Sequence, residues 1–373
     1  MKILFVSHYS FLYGSNRSLD SLIDYFHGKG EDVEVLLPSK GKFFEHLKSK
    51  NIKVHTLRFF YEVMYVKWNK KYLSLPILWI YNAMVFPLLL WKVKKIAPDI
   101  VYSNSSVDAY SIFITKILGC KHVYHVREFL KEDFGSRFIF GERMKRKLIL
   151  WSDKVIFVSK AVANAVIGYI PEQGRVIYNG LPPAKFVKSD PLFTDSLRIG
   201  IVGNIDISKQ QHLAIEYMQK IHAKYPKITL HIIGDKECPY KDYIQRLVKQ
   251  LKLENVVVFE GFVKNTEDIY NKLDVLLMCS RAEAFGRVTI EAMLRKIPVI
   301  GFNSGGTSEL IEDGVTGFKF KEYRDVEKAL DILITNPQIS HRIIDQAYKT
   351  AGEQYSEERY TKNVYDFILN QNW

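Results

Sequence analysis

Two short apolar runs, Lys2-Ile-Leu-Phe-Val-Ser7 and Arg198-Ile-Gly-Ile-Val-Gly203, each end in a small residue before a polar loop. Such a run reads as a buried strand, and the small residue lets the following loop approach a phosphate. Further strands are expected at Val33–Leu37, Ile100–Ser103, His122–Val126 and Val155–Val158, then at Thr229–Gly234, Val256–Glu260, Val275–Met278 and Val299–Gly301. Helical stretches separate them, and that alternation predicts parallel sheets wound on both faces. A chain of 373 residues exceeds one ordinary core, so two α/β domains are expected. They are assigned to residues 1–183 and 196–355, joined by a linker at 184–195, because Leu181-Pro-Pro-Ala-Lys-Phe-Val-Lys-Ser-Asp-Pro191 is rich in proline. The segment 356–373 reads as a helix with Tyr360, Val364, Phe367 and Ile368 on one face.

The net charge of +12 lies entirely in the first half: residues 1–183 hold 27 Lys and Arg against 15 Asp and Glu, whereas the remainder is balanced. A one-sided field of this kind attracts an anionic partner, whether a membrane surface, a phosphorylated acceptor or a nucleic acid, with a merely soluble basic face as the alternative. No nucleic-acid motif accompanies the charge, so nucleic acid is not expected as a partner. Cys120, Cys238 and Cys279 share no short spacing, which supports neither a disulfide framework nor a zinc site and fits a reduced cytoplasmic protein. The apolar run after Met1 is too short for a signal peptide.

The segment Glu283-Ala-Phe-Gly-Arg-Val-Thr-Ile-Glu291 sets two carboxylates with seven residues between them. Before it, Asp274–Ser280 reads as a strand; after Gly286 the chain reads as a helix. One carboxylate therefore lies in a loop and the other two turns down a helix. Ionised carboxylates only accept hydrogen bonds, which suits sugar or ribose hydroxyls, and a helix start favours a phosphate. Together these residue types describe a nucleotide-sugar site.

The motif resembles that of the retaining glycosyltransferases of family 4. Pro298-Val-Ile-Gly-Phe-Asn-Ser-Gly-Gly306 resembles their next strand and Gly-Gly turn, and Glu309 and Gly314-Val-Thr-Gly317 follow at similar spacing. The resemblance is strong over residues 196–373 and weaker over 1–180. It implies a GT-B fold, in which two Rossmann-like domains face each other across a cleft and the last helix returns to the first domain.

The resemblance also implies residue roles. Glu291 would hold the ribose, Glu283 the transferred sugar, and Phe285, Gly286, Arg287 and Val288 the turn that presents amides to the diphosphate. Lys209, after the strand ending at Gly203, would neutralise the leaving diphosphate. Asn204 stands where an Arg is usual and Gln210 where a Gly is usual; Arg281 or Arg287 are candidates to replace the missing guanidinium. Phe262 and Val263 would lie where backbone groups read the base. His125 resembles the residue that reaches the transferred sugar, with a core histidine as the alternative. Gly14, Ser15 and Asn16 resemble the loop approaching donor phosphate and acceptor, with a simple turn glycine equally open. Arg127 and Glu128 either pair with each other or face the acceptor.

Residues 72–91 carry no charge and are flanked by Lys67, Lys70 and Lys71 and by Lys92, Lys94 and Lys95. A span here would put strands of one sheet on opposite sides of a bilayer. Two readings survive, a buried helix pair broken at Pro87 or an interfacial segment with basic flanks. The function expected is transfer of a sugar from a UDP- or GDP-sugar to a glycan, with a lipid-linked acceptor, in bacterial surface polysaccharide synthesis at the inner face of the cytoplasmic membrane. No metal and no cofactor are expected. The alternatives are a nucleotide-sugar epimerase on the same fold and a non-catalytic basic binding protein.

Overall fold

The structure is a computed structural model that describes residues 1–12, 14–59, 63–65, 75–129, 136–138, 141–188 and 196–369. Residues 67 and 70–74, beside and within the uncharged stretch, lie outside the described residues, as do 189–195 of the expected linker and 370–373 at the end. The chain divides into two compact units, Met1–Gly180 with Glu357–Trp373, and Leu181–Ser356. The division falls at Gly180, three residues ahead of the boundary expected at 183, because the Leu181 N–H donates to the Tyr355 carbonyl within the second unit.

In the first unit, β1 (Lys2–Val6), β2 (Asp32–Leu37), β3 (Lys53–Thr56), β5 (Ile100–Ser103), β6 (Lys121–Val126), β8 (Lys154–Phe157) and β9 (Gly174–Val176) form one sheet in the order β3-β2-β1-β5-β6-β8-β9. All its pairs are parallel. β4 (Val63–Tyr65) and β7 (Ser136–Phe138) form a separate antiparallel pair. Helices α1 (Ser15–Gly28) and α2 (Lys42–Ser49) cover one sheet face, where Leu19, Leu22 and Phe43 meet Phe5 and Val35. Helices α3 (Leu75–Ile96) and α4 (Tyr110–Leu118) cover the other, where Leu89, Val93 and Ile114 meet Leu4 and Val101. Alternate strand residues point to opposite faces, so both helical layers can bury apolar surface on one sheet. Beside α4 lies α5 (Gly141–Trp151), whose Leu148 clusters with Ile112; α6 (Lys160–Val166) follows β8.

The second unit repeats the scheme. β10 (Arg198–Val202), β11 (Thr229–Ile233), β12 (Val257–Gly261), β13 (Val275–Met278), β14 (Val299–Phe302) and β15 (Phe318–Phe320) form a parallel sheet in the order β12-β11-β10-β13-β14-β15. The helices are α7 (Gln211–Lys224), α8 (Pro239–Gln250), α9 (Thr266–Asn271), α10 (Arg287–Met293), α11 (Gly305–Leu310), α12 (Tyr323–Thr335) and α13 (Pro337–Gln354). The last helix, α14 (Glu357–Leu369), packs with the first unit through Tyr360, Val364, Phe367 and Ile368, the face its periodicity marks. Buried Lys154 donates to the Phe367 carbonyl at 2.8 Å, a cation at the negative end of that helix. Among the described residues no helix is long and apolar enough to cross a membrane.

Candidate active site

β10 and β13 are neighbours, but the sheet grows from β10 toward β11 and from β13 toward β14. Loops leaving the carboxyl ends of two such strands diverge, and the crevice they leave is where open α/β sheets bind ligands. The loops in question are 203–210 and 279–286.

The first loop is shaped to return Lys209 to the strand end. Asp206 accepts from the Ser208 N–H at 3.1 Å and starts the single 3₁₀ turn Ile207–Lys209. Gln210 then takes a left-handed conformation (φ 53°) before α7 begins. The Lys209 stem lies over Gly203, 3.6 Å from where a Cβ on that glycine would stand. Its Nζ donates to Glu283 Oε2 at 2.6 Å.

The second loop rests on the Gly-Gly turn. The Gly306 N–H donates to the Glu283 carbonyl at 2.6 Å. A Cβ on Gly305 would fall 2.8 Å from that carbonyl oxygen, and one on Gly306 2.7 Å from the carbonyls of Ala284 and Phe285. Only glycine allows so close a backbone approach. Phe285 is buried against Tyr355, and Gly286 is left-handed (φ 96°) at the start of α10. On α10, Glu291 Oε2 accepts from the Tyr270 hydroxyl at 2.9 Å, and Arg287 Nε lies 4.0 Å from Oε1. Burial first, and then the Glu291 charge, holds the Tyr270 phenol well above its ordinary range, so it stays a donor at neutral pH.

The two motif carboxylates thus have separate partners, Lys209 for Glu283 and Tyr270 for Glu291. The Lys209, Glu283 and Glu291 side chains keep 28%, 19% and 16% of their surface exposed. Asn204 is exposed, and its carbonyl accepts from Gln211 Nε2 at 3.0 Å. Of the two candidates for the missing guanidinium, Arg281 stacks over Phe302 at 5.1 Å and Arg287 faces Glu291. Phe262 is exposed and Val263 half-buried directly after β12. The sequence carried no signal for Tyr270, or for the buried Thr289 and Thr307 hydroxyls, which have no hydrogen-bond partner among the described residues.

In the first unit the structure turns most of the expected residues inward. His125 is fully buried; its Nδ1 shares a hydrogen bond with the Tyr102 hydroxyl, and burial followed by the Arg127 charge keeps the ring neutral. Its Nε2 is buried with no hydrogen-bond partner among the described residues. Arg127 and Glu128 do not pair with each other. Arg127 donates to Asn104 (2.9 Å), Asn179 (2.6 Å) and Tyr360 (2.8 Å), tying α14 to the strand ends. One Glu128 oxygen accepts from the Ser105 hydroxyl at 2.8 Å and from the Ser106 N–H and hydroxyl at 2.9 and 2.7 Å. Asn16 is fully buried; it accepts from Ser7 at 2.7 Å and donates to the Tyr9 and Phe11 carbonyls at 3.0 and 2.8 Å, bracing the loop after β1. Gly14 is left-handed (φ 43°) at the start of α1, and the Ser15 hydroxyl bonds that of Tyr9 at 2.8 Å.

The floor beside Lys209 is a backbone contact with its own prediction. The Gly203 N–H donates to the Ile233 carbonyl, and that of Gly234 to the Gly261 carbonyl, both at 2.9 Å. At Gly234 (φ 131°) a Cβ would stand 2.0 Å from the Gly203 oxygen. Gly234→Ala is expected to cost about 3 kcal/mol, combining backbone strain with overpacking, and to lower the thermal midpoint by roughly 6–12 °C. A circular-dichroism melt superimposable on that of the parent chain would refute the contact.

Comparison with known proteins bears on this geometry. Residues 184–350 match Glycosyl transferases group 1, and residues 13–185 match Glycosyltransferase Family 4. N-acetyl-alpha-D-glucosaminyl L-malate synthase of Bacillus anthracis is 32% identical over 72% of this chain and 84% of its own. An uncharacterized glycosyltransferase of Methanocaldococcus jannaschii is 30% identical over 58% of this chain, and the match spans 61% of that relative, under two thirds of its length. In fold, the chain is similar over 100% of both chains to Anabaena HepE, solved in complex with UDP (TM-score 0.81, 23% identity). Two parallel-sheet α/β units with these matches define a GT-B glycosyltransferase. The chain belongs to glycosyltransferase family 4.

Proposed function

We propose that the chain is a retaining glycosyltransferase that uses a UDP-sugar and extends a lipid-linked glycan at the cytoplasmic face of a membrane during surface polysaccharide synthesis. The observation that carries the reading is the Lys209–Glu283 contact of 2.6 Å at the switch point, with Glu291 on the following helix. HepE has also been solved with UDP-glucose, which favours UDP over GDP as the donor nucleotide.

In this reading Glu291 accepts the ribose hydroxyls, and backbone groups beside Phe262 and Val263 meet the base. The donor diphosphate takes Lys209 away from Glu283. The pair is partly solvated and worth at most about 1 kcal/mol, so the exchange is easy. Glu283 is then free to orient the hydroxyls of the sugar. As the bond from the anomeric carbon to the phosphate oxygen breaks, its electron pair stays on the diphosphate, where the Lys209 ammonium stabilises it. The helix after Gly286 has seven residues and adds a weak dipole, so Lys209 and the Arg287 side chain carry most of the neutralisation, without a divalent ion. The acceptor oxygen bonds to the same face of the sugar, and its proton passes to the departing phosphate oxygen. The test is proton NMR of the product formed from a UDP-sugar and a polyprenyl-diphosphate-linked sugar. The anomeric coupling of the donor should be kept; an inverted product overturns the mechanism, and conversion of the donor without acceptor would indicate an epimerase.

A further inference from the structure

Helices α3 and α4 bury one side on the first sheet, α5 packs beside α4, and the three leave large apolar side chains on their outer side. On α3, Ile80, Met84, Leu88 and Trp91 fall at successive turns of one helix face; Met84 is 71% exposed and Trp91 61%. On α4, Phe113 and Ile117 repeat the pattern one turn apart. On α5 the exposed apolar residues are Met144 and Trp151, and the Trp151 ring meets that of Phe113 edge-to-face at 5.8 Å. The three helices adjoin, since Phe86 on α3 also meets Tyr110 on α4 at 6.2 Å. An exposed surface of this kind is a binding surface.

Its charge says for what. The residues of α3 and α4 include no Asp or Glu, and those of α5 only Glu142. Lys94 and Lys95 extend the apolar stripe of α3, with the Lys95 Nζ 5.4 Å above the Trp91 ring, and Arg143 and Lys147 stand exposed on α5. Apolar and indole side chains rimmed by cations match the boundary of an anionic bilayer, where acyl chains, headgroup carbonyls and phosphates lie in that order. A second copy of this chain would bring two cationic faces together. We propose that the outer face of α3–α4–α5 docks the first unit on an anionic phospholipid surface. This deepens the proposed reading and rests on it for the lipid-linked acceptor that docking would bring near.

The test is co-sedimentation of the full chain at low salt with vesicles of phosphatidylcholine, with and without phosphatidylglycerol. Two double variants accompany it, Met84→Glu with Leu88→Glu, and Lys94→Glu with Lys95→Glu. All four residues are exposed, so folding is unaffected, which a melt verifies. Binding to anionic vesicles is expected to exceed that to neutral ones at least tenfold and to fall at least about tenfold in each variant, while UDP titration is unchanged. Equal binding by the variants, or none by the parent chain, overturns the proposal. So does a dimer in sedimentation equilibrium that Met84→Glu with Leu88→Glu converts to monomer. UDP binding without vesicle binding overturns the docking alone, and vesicle binding without UDP binding overturns the donor reading alone.

Discussion

Glu291→Ala is expected to weaken UDP binding about a hundredfold in calorimetric titration, with GDP as the comparison nucleotide. A carboxylate accepting one or two ribose hydroxyls contributes about 1.5–3 kcal/mol per bond, and about 3 kcal/mol corresponds to that factor. The geometry suits the role because Glu291 is held without being used up. Tyr270 donates to Oε2 from a fully buried position, fixing the carboxylate, while Arg287 stands 4.0 Å from Oε1. Glu291→Gln separates charge from position: its amide oxygen can still accept from Tyr270, so affinity should fall by less than in the alanine variant. Tyr270→Phe, which leaves the charge and removes the brace, should weaken binding by about tenfold or less. If Glu291→Ala binds UDP as the parent chain does, the ribose assignment fails.

Lys209→Ala is expected to lower kcat/KM for sugar transfer by about 10²–10³, the effect of removing one preorganised donor from a developing oxyanion. Two consequences distinguish this from simple loss of binding. UDP affinity should fall much less than turnover, because the ammonium is needed most as charge grows on the leaving oxygen. Glu283, 2.6 Å from Nζ in the parent chain, loses its cation, so Lys209→Met and Glu283→Gln should be non-additive in a double-mutant cycle. Lys209→Arg should recover only part of the rate, since a planar fork on a shorter stem does not reproduce a point charge. Additive effects would mean that the two residues act separately, and unimpaired turnover in Lys209→Ala would remove the lysine from the mechanism.

Much of the architecture was legible before any coordinates. Apolar runs closed by small residues marked the central strands of both sheets, since a parallel strand covered on both faces must be apolar along its length. The edge strands of the first sheet are not visible in the sequence: Lys53-Val-His-Thr56 and Gly174-Arg-Val176 are short and polar because an edge buries less, whereas β12, at an edge of the second sheet, is apolar enough to be expected. The apolar face of the last helix, Tyr360–Val364–Phe367–Ile368, could be read from a period of 3.6.

For the site, the sequence by itself determined the chemistry available: two carboxylates at fixed spacing on a loop and a helix, a lysine after an earlier strand, and a Gly-Gly turn after a later one. Those are local facts, carried by spacing and by the few residues a turn tolerates. Only the tertiary structure decided which of these groups meet. Lys209 and Glu283 touch across 74 residues because β10 and β13 are neighbours at the point where the strand order reverses. Tyr270 reaches Glu291 because α9 packs beside α10, which no local pattern encodes. The same holds in the first unit: His125, Asn16 and Glu128 have the residue types of a sugar site, and packing buries them where they hydrogen-bond to Tyr102, the loop after β1 and Ser105–Ser106. Hydrogen-bonding capacity is written in the residue, but whether it faces a ligand or a neighbour is set by layers packed from distant parts of the chain.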